Sequence, residues 1–398
     1  DGKLSLSPAV GGRLTDYMDW EEVQALIQYA DRIYLQFGAR QEVYGLDERK
    51  VEDLAYEASK YNIQLIPCPV RHLGTELASQ VLERMYRYLV LEGRVEFSPR
   101  TYVEEILTDE GRREVRGAIL RRNGETEEVR ARFVVVAPGR GGAAWLQRQM
   151  EKLGIPTESN EVDIGVRVEV PNSIMDPITR DLYEAKLVYY SETFENRVRS
   201  FCMNPGGVVS EEHYDGEIAV VNGHSYADPA LKTPNTNFAL LVSTRFTEPF
   251  KEPIRYGRYI ARLANMLTGG GVMVQRLGDL LKGRRTDWDR LKKSTTVPTL
   301  KTAVPGDLSY VLPHRYLTSI VETLRAFEHI VPGIYGRNTL LYGVEVKFYS
   351  SKVKVGPNFE TPVAHLYTIG DGAGITRGLM QASVTGIVVA RDIAARGR

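Results

Sequence analysis

The sequence predicts an α/β chain in which an incomplete parallel sheet with a three-stranded β-meander is interrupted by a mainly antiparallel α+β domain. Three observations carry this. Two apolar strands, Phe133-Val-Val-Val-Ala-Pro-Gly139 and His365-Leu-Tyr-Thr-Ile-Gly370, each run into a glycine turn and then a helical pattern. An uninterrupted apolar run implies burial on both faces, as in parallel sheets. Residues 102–107, 114–121 and 128–136 read as strands joined at Asp109-Glu-Gly111 and Asn123-Gly124, which supply the turn chemistry of a meander. Residues 160–250 hold short strand patterns, several of them alternating, that suit an antiparallel sheet.

Taken in order, residues 20–37 repeat apolar residues at helical spacing and stop at Gly38. Residues 47–60 read as a second helix, 63–67 as a short strand, 75–92 as a third helix ended by Gly93, and 94–97 as a strand. After the meander a helix follows at 143–153. Residues 163–170 alternate apolar and polar, and 185–190, 197–203, 217–225 and 238–243 are further strand candidates. Helices are predicted at 253–267 and 314–329, then strands at 340–349 and 366–369. The expected domains are 1–154 and 346–398 for the glycine-turn part and 155–345 for the inserted part.

Lysine plus arginine equal aspartate plus glutamate at 51 each, so no global basic field exists for nucleic acid or an anionic membrane. The local patch Lys282-Gly-Arg-Arg285 reads as solvated surface. Cys68 and Cys202 form no CxxC, which gives no case for a redox disulfide or a zinc site, and buried structural thiols are expected. No apolar run reaches the roughly 18 residues needed to span a bilayer. With no targeting pattern, a cytoplasmic protein is expected.

Three glycine clusters invite a ligand reading. Gly139-Arg-Gly-Gly-Ala-Ala144 fits GxGxxA between a strand and a helix. An independent NAD site there needs a second parallel strand ending in an acid about 20 residues on. Residues 163–170 instead carry their acid at the start and alternate. Gly269-Gly-Gly271 reads as a helix terminus. In Gly370-Asp-Gly-Ala-Gly374 only 24 residues follow, too few to complete a βαβ unit. Asp371 would be repelled by phosphate but can accept hydrogen bonds from sugar hydroxyls. Gly372 and Gly374 permit close backbone approach to a flat ligand. First-turn amides around residues 377–380 can face the electron-rich edge of a flavin, where the helix dipole stabilises negative charge. The competing reading is a ligand-free turn.

The order of Val95-Glu-Phe97, Thr101-Tyr-Val-Glu-Glu-Ile106, the meander, FVVVAPG and LYTIGDGAG resembles glutathione-reductase-type FAD flavoproteins. It is more similar still to a bacterial group of FAD-dependent (NAD(FAD)-utilising) dehydrogenases. The resemblance covers the whole chain, including DGKLSLSPAVGG, PVRHLGT, RSFCMNPGG, NGHSYAD, LLYGVEVKFYSS and IGDGAGITRGLMQAS. It implies that Gly370, Asp371, Gly372 and Gly374 line the ribityl–pyrophosphate region of FAD. It further implies that Thr376, Arg377, Gly378, Leu379 and Met380 lie near the ring, that Val103 meets adenine, and that Ala137, Pro138 and Gly139 form the turn beside the nucleotide half. The family's opening strand, GxGxxG turn and helix are missing, so an N-terminal segment of the same polypeptide is expected to be absent.

The implied chemistry is hydride transfer between flavin and a small organic substrate, with NAD(P)H an open choice of electron donor. Candidates for the acid or base are His72 beside Arg71, His224, Tyr226, Lys347 and Tyr349. Glu345-Val-Lys347 sets two charges on one strand face, either a buried ion pair or part of a site. No metal-ligand cluster is seen. Two alternatives stay open: a non-catalytic protein of this fold with weak or no FAD binding, and an NAD-dependent enzyme using Gly139–Ala144.

Overall fold

The computed structural model describes residues 2–397 apart from 94, 112, 215–217 and 251. It divides into two compact, discontinuous units. A sheet unit joins the chain start through Lys3 with Glu42–Leu77 and Glu161–Phe348. A glycine-turn unit joins Leu4–Gln41, Ala78–Asn160 and Tyr349–Arg398. Residues 42–77, grouped by the sequence with the glycine-turn part, thus pack with the sheet. The cause is a pairing: Ile63–Ile66 adds as an antiparallel edge strand to Lys186–Tyr190.

The sheet has eight strands in the order Val304–Pro305, Met273–Arg276, Leu340–Phe348, Val162–Pro171, Asn235–Thr244, Arg197–Asn204, Lys186–Tyr190, Ile63–Ile66. Every pairing is antiparallel except that of Met273–Arg276 with Val304–Pro305. Val162, Ile164, Val166, Val168 and Val170 enter one core with Ile260 and Ala264 of the helix Pro253–Thr268 and Ile320 and Leu324 of the helix His314–Phe327. Each such side chain contributes about 1.5–3 kcal/mol when fully buried. Gly269, at φ +70, ends the first of these helices in the left-handed cap that glycine favours.

The opposite face of Val162–Pro171 departs from expectation. Its alternating polar residues face inward as well: Asp163, Arg167 and Glu169 are fully buried. The hairpin Val208–Tyr214/Ile218–His224 covers it. Val209 and Val221 of that hairpin pack with Val274, Leu340 and Tyr342. Gly223 approaches so closely that an added Cβ would stand 2.2 Å from Asn237 Oδ1 and 2.5 Å from Arg167 Nη1. The predicted strand over 217–225 begins at Glu217, which lies outside the described residues.

In the glycine-turn unit the helix Trp20–Gln36 packs on the helix Leu379–Arg396, with Tyr34 and Ser383 hydroxyls 3.1 Å apart. The meander is Tyr102–Thr108, Val115–Arg122 and Glu125–Arg130. Its third strand stops before the apolar run, because Val134–Val136 pairs instead in parallel with Leu366–Thr368. The strand predicted over 94–97 does not form. Arg94 lies outside the described residues, and Val95 and Phe97 are irregular and exposed, the latter edge-on to Tyr86. The helix Ala143–Leu153 is pinned to the meander by the buried Gln149, which accepts from Ile106 N and donates to Glu104 O, both at 3.1 Å.

Candidate functional site

The parallel pair sets two glycine turns side by side. Leu366, Tyr367 and Thr368 lie opposite Val134, Val135 and Val136, and Ile369 N donates to Val136 O at 3.0 Å. Each strand exits through a glycine at positive φ, Gly139 at +62 and Gly370 at +73, and then a single 3₁₀ turn, Arg140–Gly142 or Asp371–Ala373. L-residues are disfavoured there by steric crowding of Cβ. An added Cβ at Gly139 or Gly370 would meet nothing within 4 Å, so both turns open on free space. Gly372 and Gly374 serve close packing instead. Their Cβ positions would lie 2.6 Å from Gly139 O and 2.6 Å from both Ser350 O and Ser351 O.

Asp371 is fixed beside this opening. Thr376 Oγ1 donates to its Oδ1 at 2.6 Å, and Arg140 Nε lies 3.7 Å from its Oδ2. Two buried hydroxyls, Thr368 Oγ1 and Ser350 Oγ, lack a hydrogen-bond partner among the described residues. The Arg377 guanidinium lies 3.8 Å over the Tyr349 ring. The helix Leu379–Arg396 starts at Gly378, which supplies no side-chain cap to its first-turn amides. The residues present therefore fit FAD: open space at paired glycines, a fixed carboxylate for sugar hydroxyls, orphaned hydroxyls, and uncapped amides for a ring edge.

One contributor went unassigned in the sequence. Gln381 is fully buried. Its Nε2 donates to Pro8 O at 2.9 Å and Val10 O at 3.1 Å, and its Oε1 accepts from Leu14 N at 3.2 Å. Arg377 N also donates to Gly11 O at 2.8 Å, and Arg13 N to Ile375 O at 3.2 Å. The opening SPAVGG is thereby laced to the terminal motif. The paired glycines at 11–12 and 370–374 were the available signal.

The cofactor candidates Val103, Ala137, Pro138, Gly139, Gly370, Asp371, Gly372, Gly374, Thr376, Arg377, Gly378, Leu379 and Met380 all fall in this unit. Val103 lies on the meander opposite Leu120, and Ala137 and Pro138 lead into the first turn. Tyr349 joins them through Arg377.

The candidates in the sheet unit separate into two groups. His72 Nε2 lies 2.9 Å from Ser225 Oγ and 3.0 Å from Tyr183 OH, all three buried. Burial pushes the Tyr183 phenol up to about 12. Arg71 is buried beside His72, and Tyr226 follows Ser225, half-buried. His224 and Lys347 belong to the second group. Lys347 Nζ lies 3.2 Å from Glu345 and 3.6 Å from Glu212. Glu345 also takes both Arg167 Nε at 2.8 Å and Nη2 at 2.7 Å. Burial lowers the His224 imidazole, and Arg167 lowers it further. Cys202 corrects the expectation of a buried structural thiol. It is half-buried, at φ +48, with Lys3 Nζ 3.8 Å from its sulfur. Burial raises this thiol, but Lys3 and Arg167 together bring it below its ordinary value. Among the described residues no group of His, Cys, Asp and Glu can hold a metal ion, and no helix is long and apolar enough to cross a membrane.

The NAD alternative needs a parallel strand after the helix Ala143–Leu153. The chain instead enters Thr157–Glu158, antiparallel to Lys352–Val353, and then the antiparallel strand Val162–Pro171. The βαβ unit is not built.

Two stretches of the chain match known family models. Residues 65–159 match the FAD binding domain, and 161–348 match the FAD-dependent protein, C-terminal domain-like family. An uncharacterized protein of Clostridium beijerinckii (strain ATCC 51743 / NCIMB 8052) is 28% identical over 343 residues, 81% of this chain and 61% of that protein. The chain thus spans about three-fifths of that relative's length. Solved structures with similar folds include a quinol-fumarate reductase with menaquinol molecules (TM-score 0.41, 13% identity, 96% of this chain and 59% of that one). Pyridoxine 4-oxidase from Mesorbium loti (TM-score 0.39, 11% identity) is covered over 72% of its length by 89% of this chain. Formate oxidase (TM-score 0.40, 9% identity) is covered over 82% by 98% of this chain. The chain thus has a mixed α/β FAD-binding fold, with one region similar to the FAD binding domain and another to the FAD-dependent protein, C-terminal domain-like family.

Proposed function

We propose that this chain supplies the flavin-facing and substrate-facing parts of an FAD-dependent dehydrogenase acting on a small organic substrate. FAD supplies hydride chemistry at its ring nitrogen. The chain's part is to orient and tune it: Asp371 to accept from ribityl hydroxyls, and the first-turn amides of Leu379–Gln381 to stabilise negative charge at the ring edge. The observation that carries this reading is the pair of positive-φ turns at Gly139 and Gly370, each with free space beyond its Cα, that follow the paired parallel strands. Val103 and the Ala137–Gly139 turn are assigned the adenosine side. Visible absorption of the purified protein, followed by reconstitution with FAD, tests it. Retention of flavin by the unaltered chain and its loss in Gly370→Ala support the reading. Equal flavin binding by both overturns it.

We also propose that the adenosine half is completed by a strand–helix–strand segment N-terminal to these residues. The support is a set of exposed apolar side chains in the glycine-turn unit. Leu82, Tyr86 and Leu89 share one side of the helix Gly74–Leu91 and are 57%, 45% and 46% exposed. Val95, Phe97 and Val135 are 45%, 57% and 42% exposed. A two-stranded parallel pair is a poor stopping point, because parallel sheets are normally covered and extended on both sides. A longer polypeptide carrying such a segment should bind FAD at least about tenfold more tightly, equivalent to about 1.4 kcal/mol. Equal affinity would reject the segment.

A further inference from the structure

We propose that the basic surface of the sheet unit over residues 276–293, with Arg337 beside it, docks on an anionic lipid bilayer. The proposal goes beyond the dehydrogenase reading and does not rest on it, because every residue involved belongs to the sheet unit.

Charge comes first. The chain as a whole is neutral, yet residues 276–293 carry seven lysines and arginines against three aspartates. Two of those aspartates are taken up internally. Asp279 is fully buried, with Arg276 Nε and Arg284 Nε each 2.8 Å from it. Asp287 holds Arg290 Nη1 at 2.7 Å. Lys282, Arg285, Lys292, Lys293 and Arg337 are exposed, and among the described residues their side chains make no ion pair or hydrogen bond. Asp289 opposes them within the stretch. On flanking turns Asp307 caps the Ser309 amide, and Glu328 caps those of Gly333 and Tyr335. With all of these counted, the excess stays positive.

Contacts make this one stretch of surface. Lys282 N and Arg284 N both donate to Asp279 O at 3.1 Å, folding the turn after the short helix Leu277–Leu280. Gln275 Nε2 donates to Arg284 O and Arg276 N to Thr286 Oγ1, both at 2.9 Å, which fixes that turn to the strand Met273–Arg276. Arg290 Nη1 donates to Arg285 O at 3.0 Å and draws in the short helix Trp288–Lys292. Lys292 follows Trp288 by one turn, so the two lie on the same side of that helix. Gly278 N donates to Arg337 O at 3.1 Å, and Asn338 Nδ2 to Thr295 Oγ1 at 2.9 Å. Arg337 is thereby held between the turn and the segment that follows the helix.

The apolar side chains here select the partner. Leu281, Trp288 and Val297 are 45%, 56% and 59% exposed. Nucleic acid is held by cations and aromatic stacking and gains little from exposed aliphatics. Dominant protein–protein contacts use tryptophan and arginine but seldom leucine or valine. A bilayer interface takes all of them. Anionic headgroups attract lysine and arginine, tryptophan settles at headgroup level, and aliphatic side chains reach the acyl boundary.

Sedimentation of the full chain with vesicles of phosphatidylcholine and phosphatidylglycerol in roughly equal amounts, and of phosphatidylcholine alone, tests this. Binding to the anionic vesicles should be at least about tenfold tighter, because each lysine or arginine near such a surface is worth about fivefold. Lys292→Ser with Lys293→Ser should weaken it about tenfold or more, and salt at about 0.5 M should largely abolish it. Leu281→Ser with Trp288→Ser should weaken it at least fivefold. Tryptophan emission of the unaltered protein should shift to the blue on anionic vesicles, and Trp288→Phe should remove the shift. Circular dichroism checks each variant, and if the serine variants fail to fold, the emission comparison with Trp288→Phe decides alone. Equal binding to both kinds of vesicle, binding to neither, or anionic binding indifferent to Leu281 and Trp288 overturns the proposal. Tighter binding at the same salt to oligothymidylate or to polyglutamate also overturns it, and assigns the surface to nucleic acid or to an acidic protein. Flavin content enters none of these outcomes, so the cofactor reading stands or falls separately.

Discussion

Gly12 lies so close to Gln381 that an added Cβ would stand 2.3 Å from its Oε1, while Gln381 Nε2 reaches back to Pro8 O and Val10 O. The first glycine pair and the terminal helix are therefore one assembly. Gln381→Ala should strand two carbonyls and the Leu14 amide, each costing about 1–3 kcal/mol when buried. Stability in urea unfolding should fall by about 3 kcal/mol, and FAD should be lost with it. Gln381→Glu separates the roles, because a carboxylate can still accept from Leu14 N but cannot donate to either carbonyl.

Gly370 and Gly374 sit four residues apart with opposite constraints. At Gly370 only φ resists a side chain, and open space lies beyond. Gly370→Ala should cost about 1–3 kcal/mol, because φ +73 with ψ −164 is a conformation essentially only glycine adopts, leave the fold intact, and place a methyl where a cofactor would lie. At Gly374 the Cβ would enter the Ser350 and Ser351 carbonyls. Gly374→Val should therefore destabilise the unit itself. Thermal unfolding alongside flavin titration distinguishes them: the first should lose ligand without melting early, and the second should lose both.

Arg167 and Glu345 make a two-pronged ion pair with neither side chain exposed. Removing one partner leaves an uncompensated buried charge, so Glu345→Ala should cost about 3–5 kcal/mol. The double change Arg167→Met with Glu345→Leu should recover most of that loss, since apolar residues of similar volume avoid desolvating either ion. Chemical denaturation of the set checks this. A double variant as unstable as Glu345→Ala would show that Arg167 is needed for its contacts to Asn237 and Cys202 as well.

Much of this was legible in the sequence where periodicity and turn chemistry act locally. The helices Trp20–Gln36 and His314–Phe327, the meander, and the two strand–glycine turns follow from spacing alone. What failed depended on distant covers. Asp163, Arg167 and Glu169 alternate as a solvated face would, and only the hairpin laid across them makes them interior. The first strand of that hairpin, VVSEEHY, is too polar to be picked out by its own pattern. The helix Asn172–Leu182 carries Pro177 inside it and went unpredicted. The stretch 94–97 has the apolar content of a strand, but a strand needs a neighbour to pair with. The candidate site divided in the same way. Glycine positions were readable, whereas Gln381, Cys202 and Asn237 acquire meaning only through partners far along the chain.

Glu184 gives the clearest pH dependence. It is buried, salt-bridged to Lys3 at 3.3 Å and paired with Lys186. Burial alone would raise its carboxyl, but Lys186 and Lys3 together hold it at about 2, below its ordinary 4.5. A carboxyl depressed in the folded state stabilises the protein above its unfolded value, and that stabilisation is lost as pH falls through the folded one. The Glu184 contribution should therefore be flat from pH 7 to about 5 and decline between about 4.5 and 2. The Glu184 share is on the order of 3 kcal/mol, because each tenfold change in proton affinity is worth about 1.4 kcal/mol. Glu184→Gln should be less stable than the unaltered protein at pH 7 and should flatten this part of the profile. Urea unfolding at a series of pH values from 7 to 3 measures it, and an unchanged acid slope in Glu184→Gln would assign the loss to other carboxylates.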